Sequence, residues 1–170
     1  MDFSNDIAIL IVLMPIFNIT EKNEMVIKEI SSKETYAVRH PVLRPGRPIE
    51  DCFFEYDDDS SSIHLALEMQ GRIVSVLSAM PIQCSYFLEF KAMRLRGIAT
   101  LEGHQKQGYG SKLLKFAEAL LKAKGIELLW LNSRVKASEF YKKLGYEPAG
   151  ELFDIFGIGL HQTFIKSLKD

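Results

Sequence analysis

The clearest pattern in the chain is an alternation of apolar and polar residues that predicts a β-hairpin. Every second residue between positions 63 and 69 is apolar, namely Ile63, Leu65, Leu67 and Met69. Such alternation is typical of a strand that buries one face. Gln70 and Gly71 then supply a tight turn, and the apolar run Arg72–Met80 supplies the second strand.

The middle of the chain predicts a strand, a helix and a second strand in succession. Ala92–Leu101 has the length and composition of a strand, and a helix is expected from Gly108 until Gly125, which suits a helix C-terminus. The apolar stripe of this helix consists of Leu113, Leu114, Ala117, Leu120 and Leu121. The compact apolar run Ile126–Leu131 is expected to be the next strand. A unit of this kind places its two strands parallel in one sheet.

The segments on either side of this unit add further elements. Met25–Ile30 predicts a first strand, and the capping-box spacing of Ser31 and Glu34 predicts a helix start directly after it. The three prolines of Arg39–Pro48 predict a bent connection, because proline ends helices and extends the residue before it. The acidic run Phe54–Ser62 predicts a solvated loop.

The C-terminal part predicts a short helix and a return of the chain to the sheet. The helix is expected at about residues 136–144, and the apolar, glycine-containing tail Leu152–Leu168 is expected to add strand structure. The predicted fold class is therefore α+β with a mixed sheet.

The first 24 residues form a separate segment. Its apolar run Ile7–Ile19 is shorter than the roughly 20 residues that a membrane-spanning helix needs. Asp2 and Asp6 stand where a signal peptide carries Lys or Arg, and no small-residue cleavage site follows. We therefore expect residues 1–24 to be an N-terminal extension outside the functional core, and residues 25–170 to form one domain.

Composition narrows the classes of function. The 21 Lys and Arg residues nearly balance the 22 Asp and Glu residues, so there is no overall basic field to hold nucleic acid or an anionic membrane. Cys52 and Cys84 lack both a CxxC spacing and the density of a disulfide scaffold, which favours a reduced, cytoplasmic setting. The four histidines have no metal-ligand spacing, so we expect no metal site.

The segment that precedes the predicted helix carries a glycine motif, Q-x-x-G-x-G, at residues 105–110. Glycine lets the backbone approach a phosphate closely, and the free N–H groups of a helix's first turn attract an anion. Lys106 and Lys112 add positive charge at the rim. The patterns G-x-G-x-x-G and G-x-x-x-x-G-K-[ST] are both absent. Taken alone, the motif is compatible with a pyrophosphate site and with a simple glycine-containing turn.

Two segments together resemble the GCN5-related N-acetyltransferase (GNAT) superfamily, whose signature is R/Q-x-x-G-x-G/A between the fourth strand and the next helix. Arg94–Leu114 (RLRGIATLEGHQKQGYGSKLL) is similar to the family's central motif. Trp130–Gly150 is similar to the following motif, with its asparagine and its FY-x-x-x-G-Y/F element. The resemblance extends from about Met25 to the C-terminus. It departs from the family at Lys106, where many members have glycine.

The resemblance implies a GNAT fold, with a mixed, mostly antiparallel sheet, a central parallel βαβ unit and flanking helices. It also implies an enzyme that uses acetyl-CoA as co-substrate and acetylates an amine. The strand backbone at Ile98, Ala99 and Thr100 would contact the thioester and pantetheine, and Asn132 would hydrogen-bond the pantetheine arm. The pyrophosphate would be enclosed by Gln105, Lys106, Gln107, Gly108, Tyr109, Gly110 and Ser111.

The same resemblance supplies candidates for proton transfer. Tyr141 matches a tyrosine whose hydroxyl protonates the departing thiolate, and a phenol with a pKa near 10 is protonated at neutral pH. Glu102, just beyond the central strand, and His161, near the end of the chain, are candidates for the general base. His64, on the polar face of its strand, is a weaker candidate. Each of these side chains also has a purely structural interpretation.

The leading functional hypothesis is direct attack of an amine on the thioester carbonyl, without a covalent acyl-enzyme. A coenzyme A binding or sensing domain without acceptor chemistry is the alternative, whereas a purely structural domain gives no reason for the glycine loop, Asn132 and Tyr141 to occur together. The acceptor, a small-molecule or protein amine, is left open because the charge clusters conflict. The basic cluster consists of Arg39, His40, Arg44 and Arg47, and the acidic cluster of Asp57, Asp58 and Asp59. A homodimer formed through the terminal strands is compatible with this kind of fold.

Overall fold

The computed structural model describes residues 24–169 of the chain. The strands are β1 (Met25–Ile30), β2 (Ile63–Met69), β3 (Arg72–Met80), β4 (Ala92–Thr100), β5 (Leu128–Arg134), β6 (Glu147–Ile155) and β7 (Gly159–Ser167). The α-helices are α1 (Tyr36–Leu43), α2 (Tyr109–Ala123) and α3 (Ser138–Lys143). Short 3₁₀ turns occupy Lys33–Thr35, Ile49–Cys52, Glu102–His104 and Val135–Ala137. The predicted N-terminal extension lies outside the described residues, apart from Glu24.

All seven strands form one sheet, in the order β1-β2-β3-β4-β5-β7-β6. Neighbouring strands are antiparallel except β4 and β5, which are parallel and are joined through α2. The predicted α+β fold, with its mostly antiparallel sheet and central parallel βαβ unit, is therefore confirmed. The predicted hairpin is β2–β3, in which Ile63 pairs with Ala79 and Met69 pairs with Arg72.

The main core lies between the sheet and α2. The predicted stripe of this helix is buried at Leu113, Leu114, Ala117 and Leu121. These side chains pack with Leu65 and Leu67 of β2, as the alternation predicts. Ala66 points to the opposite face, where it packs under α1 in a smaller apolar cluster. Burying each of the larger side chains stabilises the fold by about 1.5–3 kcal/mol, so α2 fixes the position of the loop that precedes it.

The start of the first helical segment follows the predicted capping box. The backbone N–H and the hydroxyl of Ser31 both donate to Glu34 Oε2 at 2.8 Å, and the Glu34 N–H points back to Ser31 Oγ at 3.4 Å. A 3₁₀ turn and then α1 follow directly.

The predicted bent connection at Arg39–Pro48 is wrong in its first half. Residues 39–43 are the last five of α1, and Pro41 lies inside this helix. Proline costs the helix one backbone hydrogen bond. Val38 and Arg39, which lie in the turn before Pro41, are fully buried, so tertiary packing outweighs the local preference.

The acidic run Phe54–Ser62 was predicted to be a solvated loop, and this is wrong at two positions. Phe54 is 7% exposed and Asp57 is 3% exposed. Asp57 accepts hydrogen bonds from both terminal nitrogens of Arg39, at 2.6 and 3.0 Å, and neither side chain is exposed. His64 joins this buried network, because its Nε2 contacts the Asp57 carbonyl at 2.9 Å and its Nδ1 contacts Ser78 Oγ at 2.7 Å.

In the C-terminal part, the structure contains the predicted types of element, but their first and last residues differ from the prediction. The predicted helix at residues 136–144 is α3, together with the end of the preceding 3₁₀ turn. The predicted strand Ile126–Leu131 is β5, which begins two residues later and continues to Arg134. The tail Leu152–Leu168 contains the end of β6 and all of β7, which pair as a hairpin. None of the helices between residues 24 and 169 is both long and apolar enough to cross a membrane.

Candidate active site

The parallel strands β4 and β5 separate along their length. They pair only where Ala92–Arg94 meets Leu128–Trp130. Beyond these residues β4 remains paired with β3 as far as Thr100, and β5 remains paired with β7 as far as Arg134. The divergence opens a cleft of about 470 Å³ between the strands. This volume lies within the range of small-molecule sites.

A β-bulge in β4 lies at this cleft. The pairing of β4 with β3 shifts register between Arg96 and Ala99, so Gly97 and Ile98 together oppose a single residue of β3. Gly97 has a φ of +60°, and an added Cβ would lie 2.8 Å from Arg39 Nε. Glycine is therefore required here for both conformation and space. Gly97 and Ile98 both line the cleft.

The three strand residues predicted to contact the cofactor differ in their surroundings. Ile98 lines the cleft. Ala99 is buried, and its carbonyl accepts a hydrogen bond from the Ser75 hydroxyl at 3.0 Å. The Thr100 carbonyl accepts a hydrogen bond from Gln105 Nε2 at 3.1 Å. Cofactor contacts of Ala99 and Thr100 therefore stay predictions, since other groups of the protein already bind both carbonyls.

The predicted glycine loop leads directly into α2. Gly108 is the N-cap residue with a φ of +79°, a conformation that suits glycine. The Lys112 N–H donates to the Gly108 carbonyl at 3.0 Å. The preceding N–H groups, those of Tyr109, Gly110 and Ser111, have no acceptor within the helix. The first turn also contains no acidic residue, so this is an arrangement that attracts anions.

Two glutamine side chains hold the loop before α2. Gln105 Nε2 bonds the Thr100 carbonyl, and Gln107 Nε2 donates to the Gly103 carbonyl at 3.3 Å. Lys106 lies between them with a φ of +62°, in the left-handed region. A lysine in this conformation is strained by roughly 1 kcal/mol, whereas glycine is not. The backbone geometry at residue 106 therefore favours glycine over the lysine that is present.

Asn132 faces the cleft from β5. Its side-chain oxygen accepts a hydrogen bond from the Thr163 hydroxyl at 2.9 Å. This contact fixes the orientation of the amide and leaves its NH₂ group as the donor for a ligand.

Tyr141 faces the cleft from α3 and is largely buried. Its ring packs 5.0 Å from Phe140 and 5.8 Å from Phe164, measured between centroids. Burial raises the pKa of Tyr141 to about 12. The phenol is therefore protonated over the whole physiological pH range, as a general acid must be.

The two candidates for the general base lie in different places. His161 of β7 lines the cleft, and its Nδ1 donates to the Gly159 carbonyl at 2.5 Å. This hydrogen bond keeps the proton on Nδ1 and leaves Nε2 as the nitrogen that can accept a proton. Glu102 is exposed in the 3₁₀ turn after β4 and does not line this cleft. The structure brings His161, but not Glu102, to the cleft.

The cleft also has a cationic side that was not predicted from the sequence. We define the basic wall as the cationic residues that line the cleft, namely Arg44, Arg94, Arg96, Arg134 and Lys136. No Asp or Glu is among the lining residues. The members come from the residue that follows α1, from β4, from the end of β5 and from the 3₁₀ turn after β5, so no local motif unites them. The sequence gives one indication of the basic wall, because Arg94 and Arg96 occupy alternate positions in a mostly apolar strand.

The described residues offer little to a metal ion. Between residues 24 and 169, no group of three or more His, Cys, Asp or Glu side chains is arranged to hold one. Cys52 and Cys84 are both buried free thiols.

Comparison with known proteins identifies the family. The model of the acetyltransferase (GNAT) family matches residues 27–146, and the chain therefore belongs to that family. The chain is 41% identical over 143 residues to the uncharacterized N-acetyltransferase YitI of Bacillus subtilis strain 168, which covers 84% of this chain and 96% of the relative. The predicted family and the predicted enzyme class, N-acetyltransferase, are confirmed.

Solved structures share the fold. A protein described as an N-acetyltransferase from Lactobacillus plantarum superposes with a TM-score of 0.71 at 22% identity, covering 86% of this chain and all of the other. An aminoglycoside 6'-N-acetyltransferase, solved in complex with coenzyme A, superposes with a TM-score of 0.68 at 14% identity, covering 85% and 98% of the two chains. At these identities the likeness concerns the fold.

Proposed function

We propose that this N-acetyltransferase takes its acetyl group from acetyl-CoA and transfers it to an amine within the cleft between β4 and β5. The observation that carries the proposal is that the glycine loop before α2 reaches this cleft. Gln105 of the glycine loop lines the cleft, and an added Cβ at Gly110 would lie 3.7 Å from Phe140 of α3. One extended ligand can therefore place a pyrophosphate on α2 and a thioester between the strands. The coenzyme A complex of a fold relative supports this assignment.

In this proposal the cofactor is bound mainly by backbone groups. The pyrophosphate contacts the loop and first turn formed by Gln105, Lys106, Gln107, Gly108, Tyr109, Gly110 and Ser111. The pantetheine arm lies along β4 at Ile98, Ala99 and Thr100, and the Asn132 amide donates to it from β5. Backbone N–H groups at the bulge polarise the thioester carbonyl.

The proposed chemistry is a direct transfer. The amine nitrogen attacks the thioester carbonyl, a C–N bond forms and the C–S bond breaks. His161 Nε2 accepts the proton that the amine loses, and the Tyr141 hydroxyl protonates the departing sulfur. Glu102 stays the alternative base, acting through water from outside the cleft. No metal takes part in these steps.

The cellular setting follows from the substrates. Acetyl-CoA is a metabolite of the cytoplasm, and the two buried free thiols are compatible with a reducing compartment. We therefore assign the enzyme to the cytoplasm, with acetyl-CoA and an amine as partners and neither nucleic acid nor membrane required. A homodimer stays a prediction.

The experiment that tests the cofactor site is calorimetric titration of the full chain with acetyl-CoA, using Gly108→Ala and a matched control, Gly125→Ala. The two glycines have φ values of +79° and +75°, and an added Cβ at either would meet nothing within 4 Å. The backbone strain of the two variants is therefore the same. We expect micromolar binding by the parent, at least tenfold weaker binding by Gly108→Ala and unchanged binding by Gly125→Ala.

Release of the coenzyme A thiol in the presence of amines then measures turnover. A folded parent that binds no acetyl-CoA would overturn the proposed function. Equal losses of affinity in the two glycine variants would show that the first turn of α2 is not the pyrophosphate site.

A further inference from the structure

Two arginines of the basic wall carry charges that the described protein does not pair. Arg94 and Arg96 are half-buried, and neither forms an ion pair or a side-chain hydrogen bond within residues 24–169. Each instead has its guanidinium over an aromatic ring, Arg94 at 4.6 Å from the Trp130 centroid and Arg96 at 4.4 Å from the Phe54 centroid. The Arg94 Nε is buried without a hydrogen-bond partner. Both side chains line the cleft.

Keeping these charges in the cleft has an energetic cost. Burial lowers the pKa of Arg94 to about 10, and burial also lowers the pKa of Arg96. Both guanidiniums are still charged at neutral pH. Buried charges in proteins are normally paired or bound to a ligand. The two charges are therefore expected to meet their counter-ion in a bound molecule.

Neighbouring carboxylates do not serve as this counter-ion. Asp57 raises the pKa of Arg96 through space, but its two oxygens bond the Arg39 guanidinium. Glu55 is exposed, and it raises the pKa of both arginines without forming an ion pair with either. One member of the basic cluster and one of the acidic cluster are thereby accounted for, since Asp57 neutralises Arg39 inside the fold.

The phosphates of the cofactor are also too far away to be the counter-ion. Arg94 and Arg96 precede Thr100 by six and four residues on an extended strand, which is roughly 13–20 Å. The glycine loop lies beyond Thr100. A cofactor whose pyrophosphate rests on α2 leaves the arginine end of the cleft to the acceptor.

We propose that the acceptor is a small amine that carries an oxyanion, a carboxylate or a phosphate, bound by Arg94 and Arg96. The planar guanidinium matches both oxyanions in a bidentate manner. In this pose the amino group of the acceptor faces His161, which lines the same cleft. A free amino acid is the simplest molecule of this class. The cleft of about 470 Å³ also holds the thioester end of the cofactor, which limits the acceptor to a small molecule. This inference rests on the proposed function.

The first test compares matched amines with the parent enzyme and acetyl-CoA. Each free amino acid is assayed beside its amide, and O-phosphoethanolamine beside ethanolamine, by release of the coenzyme A thiol. We expect at least one anionic amine to have a kcat/KM at least tenfold above that of its neutral partner. The amino acid pairs and the phosphate pair separate a carboxylate from a phosphate.

The second test uses Arg94→Gln and Arg96→Gln, with Arg72→Gln as the control. Arg72 is an exposed arginine of β3 that does not line the cleft. We expect each cleft variant to raise the KM of the anionic amine at least tenfold, and the control to leave it unchanged. Calorimetric binding of acetyl-CoA should be unchanged in all three variants, which separates loss of the acceptor site from misfolding.

Two outcomes would overturn the inference while leaving the proposed function intact. One is equal kcat/KM for the anionic and neutral members of every pair, or acetylation of neither, by an enzyme that binds acetyl-CoA. The other is an unchanged KM in both cleft variants. Absence of acetyl-CoA binding by the parent would instead contradict the proposed function itself.

Discussion

The two ends of the cleft are built in different ways. At the α2 end, the groups proposed to bind the cofactor are the consecutive backbone N–H groups of residues 109–111, held by a loop and a helix that adjoin in sequence. At the other end, the basic wall consists of side chains from separate parts of the chain, namely β4, the end of β5 with the 3₁₀ turn after it, and the residue that follows α1. The position of the basic wall depends on Phe54, whose ring lies against both Arg96 and Arg39. Arg39 is in turn held by its buried ion pair with Asp57.

Because the two ends are built differently, they tolerate different substitutions. A site made of backbone groups depends on conformation, so most side-chain changes in it have small effects. A site made of side chains changes its charge with a single substitution. The same scaffold can therefore keep one cofactor while it changes its acceptor, and the acceptor has to be inferred from the side chains of the individual chain.

The largest expected effect comes from removing the support of the basic wall with Asp57→Asn. This substitution leaves the Arg39 guanidinium buried without its carboxylate, which typically costs about 3–5 kcal/mol. We expect the melting temperature to fall by roughly 10–15 °C, as measured by calorimetry. Asp58→Asn is the control, because Asp58 is exposed and an asparagine oxygen can still accept the hydrogen bond from Ser32.

A loss of less than about 1 kcal/mol in Asp57→Asn would mean that the basic wall does not depend on this pair. If the phosphates of acetyl-CoA bind at the N-terminus of α2, as proposed, saturating acetyl-CoA should raise the melting temperatures of parent and variant by the same amount. A smaller rise in the variant would show that the two ends are not independent.

Tyr141→Phe tests the proposed general acid, whose side chain lines the cleft where the two ends meet. The variant loses only the hydroxyl, and we expect kcat to fall by about 10- to 100-fold with little change in the KM of either substrate. Tyr146→Phe is the control, because Tyr146 packs 5.9 Å from Tyr141 in the same aromatic cluster without lining the cleft. Equal kcat values for the two variants would contradict the role of Tyr141 as the acid.

The raised pKa of Tyr141 also predicts its pH dependence. An unfolded tyrosine ionises near pH 10 and the folded Tyr141 near pH 12, so the folded state holds the proton more tightly between these values. This group therefore contributes stability below pH 10 that is lost as the pH rises toward 12. Between pH 7 and 10, the phenol is protonated in the folded enzyme. The parent and Tyr141→Phe should accordingly show pH–rate profiles of the same shape in this range, differing only in height.

The sequence predicted the elements that depend on local pattern. The alternation at residues 63–69 located β2, and the stripe of α2 identified its buried face. The family resemblance and the glycine motif located the α2 end of the cleft, because strand, loop and helix follow one another within about 30 residues.

The errors and omissions all involve contacts between distant parts of the chain. The partner of Arg39 lies 18 residues away, so neither the burial of Arg39 in α1 nor that of Asp57 in the acidic run follows from its own segment. Arg44 and Arg134 are 90 residues apart in sequence and meet in one cleft. Local propensity carries no information about contacts between residues that are far apart in sequence. The order of the strands in the sheet brings such residues together.

The smallest expected effect is at Lys106, and it tests whether backbone groups dominate the α2 end. Lys106→Gln removes the charge and keeps the left-handed backbone, so we expect acetyl-CoA binding to weaken only about two- to threefold by calorimetry. Lys106→Gly also removes the charge, but it relieves the strain at a φ of +62°. The glycine variant should therefore bind as the glutamine variant does and melt at the same or a slightly higher temperature. A loss of affinity of tenfold or more in Lys106→Gln would show that side-chain charge, rather than the first turn of α2, holds the pyrophosphate. Both ends of the cleft would then depend on charged side chains, and the proposed difference between them would be wrong.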